Sequence, residues 1–460
     1  MIDMNHKQLY LLLFLFFFTA CGEIEIGNNK PQNSEIPSSS IEVPSINSDK
    51  KISCQEVERE NKYFNHNYQN ILDIEPIDKI KILLKKEIPL KKSVDFDQKE
   101  LYRLFTTEYY WASSISKTFD YRSYTTPQGL IDRLKYIKDK WSFSITVEDY
   151  NNATSQKSVG VGVVCQNFQS GCIISYVRIN SPADKIDLRR GDIITKIDGK
   201  EATEKNFYEK AKKEKEISLE IVRRDTNQHC IGTLTPRQYS YKVVEDKILY
   251  TQKNEKIAYL RLDSFLGEKN IEKQLDESFD RFKKRHIEKL VIDLRYNGGG
   301  SINLASKLLN KLSTTHIGDE QFTLSWNNTY KVNNQTYRFK SSENSLNLKQ
   351  IIFLTTGNSA SASELIISAM KPYLPEENLV IVGSKTHGKP VGMGGQSDGK
   401  FYFFLINFVV KNALGFYDYF EGLPVTAGCD AIDDTFHEMG DPKEKMLETA
   451  LHYIDEGSCQ

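Results

Sequence analysis

Along the chain, the spacing of apolar residues changes character several times. From Leu9 to Ala20 almost every position is apolar. That run of about a dozen residues is too short to cross a bilayer as a helix and fits the core of a secretory signal. Residues 22–52 lose all apolar periodicity and are rich in Asn, Ser, Pro, Glu and Lys. Such a composition cannot bury a core and predicts a flexible tether. From about Cys54 to Asp149 apolar positions recur at helical spacing. Pro76 to Leu90 mixes Ile, Leu and Lys, and Phe105 to Ile115 carries Tyr109, Tyr110 and Trp111. Thr126 followed by Pro127 reads as the cap and first turn of another amphipathic helix.

Beyond residue 151 the pattern turns to short strands. Val159-Gly160-Val161-Gly162-Val163-Val164 is strand-like with interspersed glycines. From Tyr239 onward, apolar runs of strand length alternate with amphipathic helical stretches. The strands are Ile257–Leu262, Leu290–Leu294, Ile351–Leu354, Leu379–Val382 and Phe401–Val410. Helices are expected over residues 271–286, from Leu365 to Met370, and after Asp441-Pro442, with Asp441 as cap. The alternation predicts an α/β fold. The whole chain therefore divides into a signal (1–20), a tether (21–53), an N-terminal helical region (54–151), a glycine-containing strand domain (152–238) and an α/β core (239–460).

Composition narrows the function without fixing it. The chain has 460 residues, 39% hydrophobic and 27% charged, with a net charge of -1. That balance argues against a nucleic-acid binder held by bulk electrostatics. Seven cysteines are present: Cys21, Cys54, Cys165, Cys172, Cys230, Cys429 and Cys459. None stands in a spacing that suits zinc, so no metal and no cofactor are expected. With Cys21 set aside, six remain, which suggests disulfides in an exported chain and leaves fifteen full pairings open. Cys165 and Cys172 flank a turn and are read either as a hairpin bridge or as unpaired core residues.

Three segments carry the candidate chemistry. Gly357-Asn358-Ser359-Ala360-Ser361-Ala362-Ser363-Glu364 lies between an apolar strand and a helix. A small-residue turn there can present a serine hydroxyl at a helix N-terminus, where backbone N–H groups and the dipole favour an oxyanion. The bland alternative is a capping box, Ser361-x-x-Glu364. Gly383-Ser384-Lys385-Thr386-His387-Gly388-Lys389 follows a second strand and supplies lysines. Leu290-Val291-Ile292-Asp293-Leu294-Arg295-Tyr296-Asn297-Gly298-Gly299-Gly300 runs from a strand into a glycine-rich turn, where a ligand can approach the backbone closely.

Taken in order, these segments resemble the C-terminal processing (tail-specific) peptidases. The resemblance implies a serine endopeptidase with Ser361 as nucleophile and Lys389 as general base. It implies an oxyanion hole from Ala362 and either Gly298 or Gly299, and a core similar to the crotonase and Clp protease fold. The segments around Ser181-Pro182-Ala183 and Arg190-Gly191-Asp192 resemble the PDZ domain of this family. By that likeness Gly160, Val161, Gly162 and Val163 hold the free C-terminus of a protein or peptide substrate. The N-terminal helical region is the part that, in the family, often serves dimerisation or substrate capture. His387 stands where an aromatic is usual and is read either as a substrate contact or as an inert loop histidine without a partner. Met393 and Pro372 stand where supporting polar residues are usual. Phe18-Thr19-Ala20-Cys21-Gly22 resembles a bacterial lipobox, which implies lipidation at Cys21 and a place in the cell envelope, anchored to a membrane; a plain secretory signal is the alternative. Ser368-Ala369-Met370-Lys371 matches the Ser-x-x-Lys of penicillin-recognising enzymes, but without their partner motifs it reads as an ordinary helix face. The competing function is a PDZ-containing peptide-binding lipoprotein that has lost catalysis.

Overall fold

The structure is a computed structural model that describes residues 52–55, 95–148, 150, 157–168, 171–211, 215–240, 242–266 and 268–460. The signal, Cys21, most of the tether and the helix expected over Pro76 to Leu90 lie outside the described residues. Eight α-helices and nineteen strands are used below. In chain order they are β1 (Ser53–Gln55), α1 (Gln98–Thr107), α2 (Pro127–Leu134), β2 (Phe143–Thr146), β3 (Lys157–Gly160), β4 (Val163–Phe168), β5 (Gly171–Val177), α3 (Pro182–Lys185), β6 (Ile193–Ile197), β7 (Lys200–Glu201), α4 (Glu204–Ala211), β8 (Ile217–Val222), β9 (His229–Leu234) and β10 (Arg237–Ser240). There follow β11 (Val244–Tyr250), β12 (Lys256–Leu262), α5 (Glu268–Lys284), β13 (Lys289–Asp293), α6 (Ile302–Leu312), β14 (Glu320–Trp326), β15 (Gln335–Arg338), β16 (Gln350–Thr355), α7 (Ala362–Met370), β17 (Leu379–Gly383), β18 (Val391–Ser397), β19 (Phe401–Asn412) and α8 (Lys445–Glu456).

The chain forms two compact units. The smaller one holds β1 and residues 159–237. Its sheet runs β1-β9-β8-β6-β5-β4, with β7 on β6, so β4 is a terminal strand. Ile174, Ile194, Phe207, Leu219 and Ile221 fill its core. Cys54 is a strand residue here and not the start of a helix: it pairs in register with Cys230 and is bonded to it through a disulfide. A second disulfide, Cys165–Cys172, bridges the β4–β5 hairpin.

The larger unit contains the five-stranded sheet β11-β12-β13-β16-β17. The last four strands are parallel, which requires crossover connections. Side chains alternate between its faces. Leu260, Ile292, Ile351 and Phe353 pack with residues of α5, α6 and α7. Tyr259, Val291, Ile352 and Val382 pack with Met446, Leu447 and Ile454 of α8. A third disulfide, Cys429–Cys459, ties the segment after α8 back to a loop beside β17. The second sheet runs β15-β14-β19-β18, and β2 joins it by pairing with β19. Thus Phe143–Thr146, within the region expected to be helical, form a strand whose Phe143 and Ile145 are buried with Leu104, Phe105 and Ile131 of the helices. The final helix starts later than expected. Glu444, not Asp441, is its cap and accepts from the N–H groups of Met446 and Leu447.

Candidate active site

The three motif segments all follow the carboxyl ends of neighbouring parallel strands, β13, β16 and β17. In open α/β sheets that is where ligands meet the backbone. Ser361 begins the turn into α7 with φ 57° and ψ −111°. A residue that only caps a helix sits in the extended region. A left-handed φ on a non-glycine side chain costs energy and points to a site where position matters. The turn is nailed to the glycine-rich segment. The Ala360 N–H and the Ser363 hydroxyl both donate to the Asn297 carbonyl, at 3.1 and 2.9 Å. The Ser359 hydroxyl donates to the Leu294 carbonyl at 2.8 Å.

Glu364 joins the serine turn to the lysine segment. It is fully buried. Its Oε2 accepts from the N–H of Ser361 at 2.9 Å and of Lys389 at 2.8 Å. Its Oε1 accepts from the Gly388 N–H and the Thr386 hydroxyl, each at 2.6 Å. The capping box is therefore present, with Glu364 accepting from the Ser361 N–H, but the same carboxylate also holds the lysine segment. Burial pushes the Glu364 carboxyl up from its ordinary value, against the pull of those four donors. Ser361 is 8% exposed and Lys389 5%; Lys385 is exposed.

The glycine turn lies against the serine. A Cβ on Gly299 would sit 2.8 Å from the Ser361 Cβ and 2.9 Å from the Ala362 nitrogen. The Gly299 N–H itself donates to Asn297 Oδ1 at 2.8 Å, so of the two glycines Gly298 has the N–H that is not spent in this turn. Behind it, Arg295 is fully buried and forms a bidentate pair with Glu444 at 2.9 and 2.8 Å. Its Nε donates to Asp293 at 3.0 Å and its Nη1 to Asp433 at 2.8 Å. Burial alone would weaken its charge, but Asp293, Glu444 and Asp433 outweigh that and hold it protonated. The glycine turn is thus clamped to the start of α8.

Other expected residues fall differently. His387 is not without partners: it is held by Gly357 and by Trp141. Met393 is buried on β18 with Val391 and Phe403 and serves as core. Ser368 is buried within α7 while Lys371, at its C-terminal end, is exposed, so the Ser-x-x-Lys pattern builds no site. In the smaller unit, Gly160 and Gly162 have positive φ. The carbonyls of Val161 and Gly162 accept from Ala183 and Arg178, which places all four expected groove residues at or before the start of the terminal strand β4. The roles of Glu364 in the lysine segment, and of Arg295 and Trp141, escaped the sequence reading. Only the Ser-x-x-Glu spacing gave a signal.

A strained serine at a helix N-terminus, a buried lysine whose N–H shares one Glu364 oxygen with the serine N–H, and a glycine turn packed against the serine thus come together. Residues 256–397 match the family described as Peptidase family S41, and residues 173–223 match a PDZ domain. The chain thus carries the peptidase domain of family S41, the C-terminal processing peptidases, together with a PDZ domain. It is 26% identical over 302 residues to a probable CtpA-like serine protease of Staphylococcus aureus (strain bovine RF122 / ET3-1), covering 63% of this chain and 55% of that protein. A protein of the same name from Staphylococcus haemolyticus (strain JCSC1435) is 25% identical over 325 residues, covering 68% and 59%. The match therefore spans little more than half the length of these relatives. Among solved structures, a chain from Bacteroides fragilis NCTC 9343 assigned to the S41 proteases superposes with a TM-score of 0.68 at 21% identity, covering 80% of this chain and 99% of that one. It supports the fold.

Proposed function

We propose that this chain is a serine endopeptidase of the C-terminal processing type. Ser361 is the nucleophile and Lys389 the general base. A serine hydroxyl is a weak nucleophile until a neighbouring base takes its proton. A buried lysine suits the task because desolvation disfavours its charged form. As Ser361 Oγ bonds to the scissile carbonyl carbon, its proton passes to the Lys389 amine. The carbonyl oxygen gains negative charge and is met by the N–H groups of Ala362 and Gly298. The ammonium then gives its proton to the leaving amine, and water releases the acyl group by the same route. The observation that carries this reading is the single Glu364 oxygen that holds the N–H groups of both Ser361 and Lys389.

The PDZ domain, in this reading, captures a substrate's free C-terminus by adding it to β4, with Gly160 to Val163 around the carboxylate. Lipidation at Cys21 anchors the enzyme in a bacterial envelope. Three disulfides fit export, since cytosolic thiols stay reduced. Hydrolysis of an unfolded protein tests the proposal. Ser361→Ala and Lys389→Ala should each cut turnover by roughly 10³-fold or more, whereas Lys385→Ala should change it little. Wild-type turnover in folded Lys389→Ala rejects the dyad.

A further inference from the structure

We propose that Trp141 and His387 form a positioning pair that sets the serine turn against the lysine segment, so that a residue N-terminal to the PDZ domain helps to build the active site. The inference rests on the Ser361–Lys389 reading. The two segments, 356–361 and 386–389, are joined from the buried side by Glu364. His387 joins them a second time, from the half-exposed side. Its N–H donates to the Ser359 carbonyl at 3.0 Å, and its Nδ1 lies 3.3 Å from the Gly357 carbonyl. A carbonyl can only accept, so Nδ1 carries the proton and Nε2 is left with a lone pair. Trp141 Nε1–H, which can only donate, points at that Nε2 from 3.3 Å. The two contacts demand the same tautomer, and each therefore supports the other.

Trp141 is itself fixed. Asp139 is buried and accepts from the N–H groups of Trp141 and Ser142, both at 2.9 Å. It also accepts from the hydroxyls of Tyr109 at 2.7 Å and Ser142 at 2.6 Å. The Ser142 hydroxyl accepts in turn from the Ile406 N–H at 3.0 Å, on the strand that pairs with β18, which follows Lys389. The Trp141 ring also lies 6.2 Å from that of Phe420. The loop of Phe420 is pressed onto the lysine segment: a Cβ on Gly388 would come within 2.4 Å of the Phe420 carbonyl. A chain of contacts from Tyr109 through Asp139 and Trp141 thus ends on the residue two before the proposed base.

The test uses the full chain and the variants Trp141→Phe, His387→Phe and their double. The first keeps one aromatic ring and loses the N–H donor with the rest of the indole; the second keeps a ring and loses both nitrogens. Peptide hydrolysis gives kcat and KM, a fluorophosphonate gives the reactivity of Ser361, and thermal unfolding gives Tm. Each single variant should lower kcat and the labelling rate together by roughly 10- to 100-fold, as a misplaced nucleophile does, with KM unchanged. The double should be no slower than His387→Phe, because both changes break one shared contact. His387→Gln, which again offers a donor and an acceptor, should recover part of the rate. Wild-type kcat in Trp141→Phe overturns the inference, as do effects that multiply in the double or a rate loss that simply follows a fall in Tm. A wild-type chain that neither hydrolyses peptide nor labels refutes the serine–lysine reading, and this inference with it.

Discussion

At the scale of single residues, one carboxylate organises the chemistry. Glu364 has two oxygens and four donors, and those donors belong to both segments of the proposed dyad. Glu364→Gln keeps the shape but replaces one acceptor oxygen by an amide that can only donate. Leaving buried donors unmet should cost about 1–3 kcal/mol of stability, and turnover should fall by roughly 10-fold or more through misplacement; kinetics and thermal unfolding measure the two separately. The pH dependence has a definite sign. Burial raises the folded-state carboxyl above its unfolded value. The cost of ionising it is therefore full above that raised value, shrinks as pH falls below it, and is gone only below the unfolded value. Protonation in the same window removes acceptor capacity, so activity should decline there without a matching fall in stability. The sequence made the turns that carry Ser361, Ala362 and Lys389 legible because each follows an apolar strand. It left Gly298 and Gly299 equal, since only the hydrogen bond from the Gly299 N–H to Asn297 separates them. Trp141 was unreadable for the same reason: its partner His387 lies 246 residues away.

At the scale of elements, the strands of the parallel sheet were readable because both faces are buried and their sequences are continuously apolar. Strand β2 was harder. Only Phe143 and Ile145 mark it, and its partner β19 is remote in sequence. The start of α8 was misplaced because Asp441-Pro442 is a good local cap signal, whereas Glu444 caps the helix while paired with Arg295. The terminal strand β4 is the element on which the proposed peptide capture depends. Tyr208 of α4 already places its hydroxyl 3.1 Å from the Cys165 nitrogen and 3.3 Å from its oxygen, so an incoming strand must compete there and modest affinity is expected. Peptides with a free C-terminus should bind more tightly than the same peptides amidated, because amidation removes the charge and one acceptor oxygen while leaving the side chains unchanged. Calorimetry giving equal affinities for the two would reject carboxylate recognition at Gly160 to Val163.

At the scale of the whole molecule, a peptidase domain and a PDZ domain share a chain whose N-terminus reads as an export signal. No helix among the described residues is long and apolar enough to cross a membrane. A lipid at Cys21 would supply the attachment, and stable anchoring takes more than one acyl chain. Cys21→Ser should shift the protein from membranes to a soluble exported fraction, or leave it unprocessed. Mass spectrometry of the mature N-terminus reads this directly, and an unmodified N-terminus downstream of Cys21 would replace the anchor with simple secretion. The pairing of the cysteines was beyond the sequence, since Cys54 and Cys230 meet across 176 residues and Cys429 and Cys459 across 30. Covalent labelling probes the proposed serine–lysine dyad most directly. The full chain would be treated with a fluorophosphonate and mapped by peptide mass spectrometry. The account predicts one adduct, on Ser361, that is lost in Lys389→Ala while the fold persists. An adduct on another residue, or undiminished labelling of Ser361 in Lys389→Ala, would contradict it.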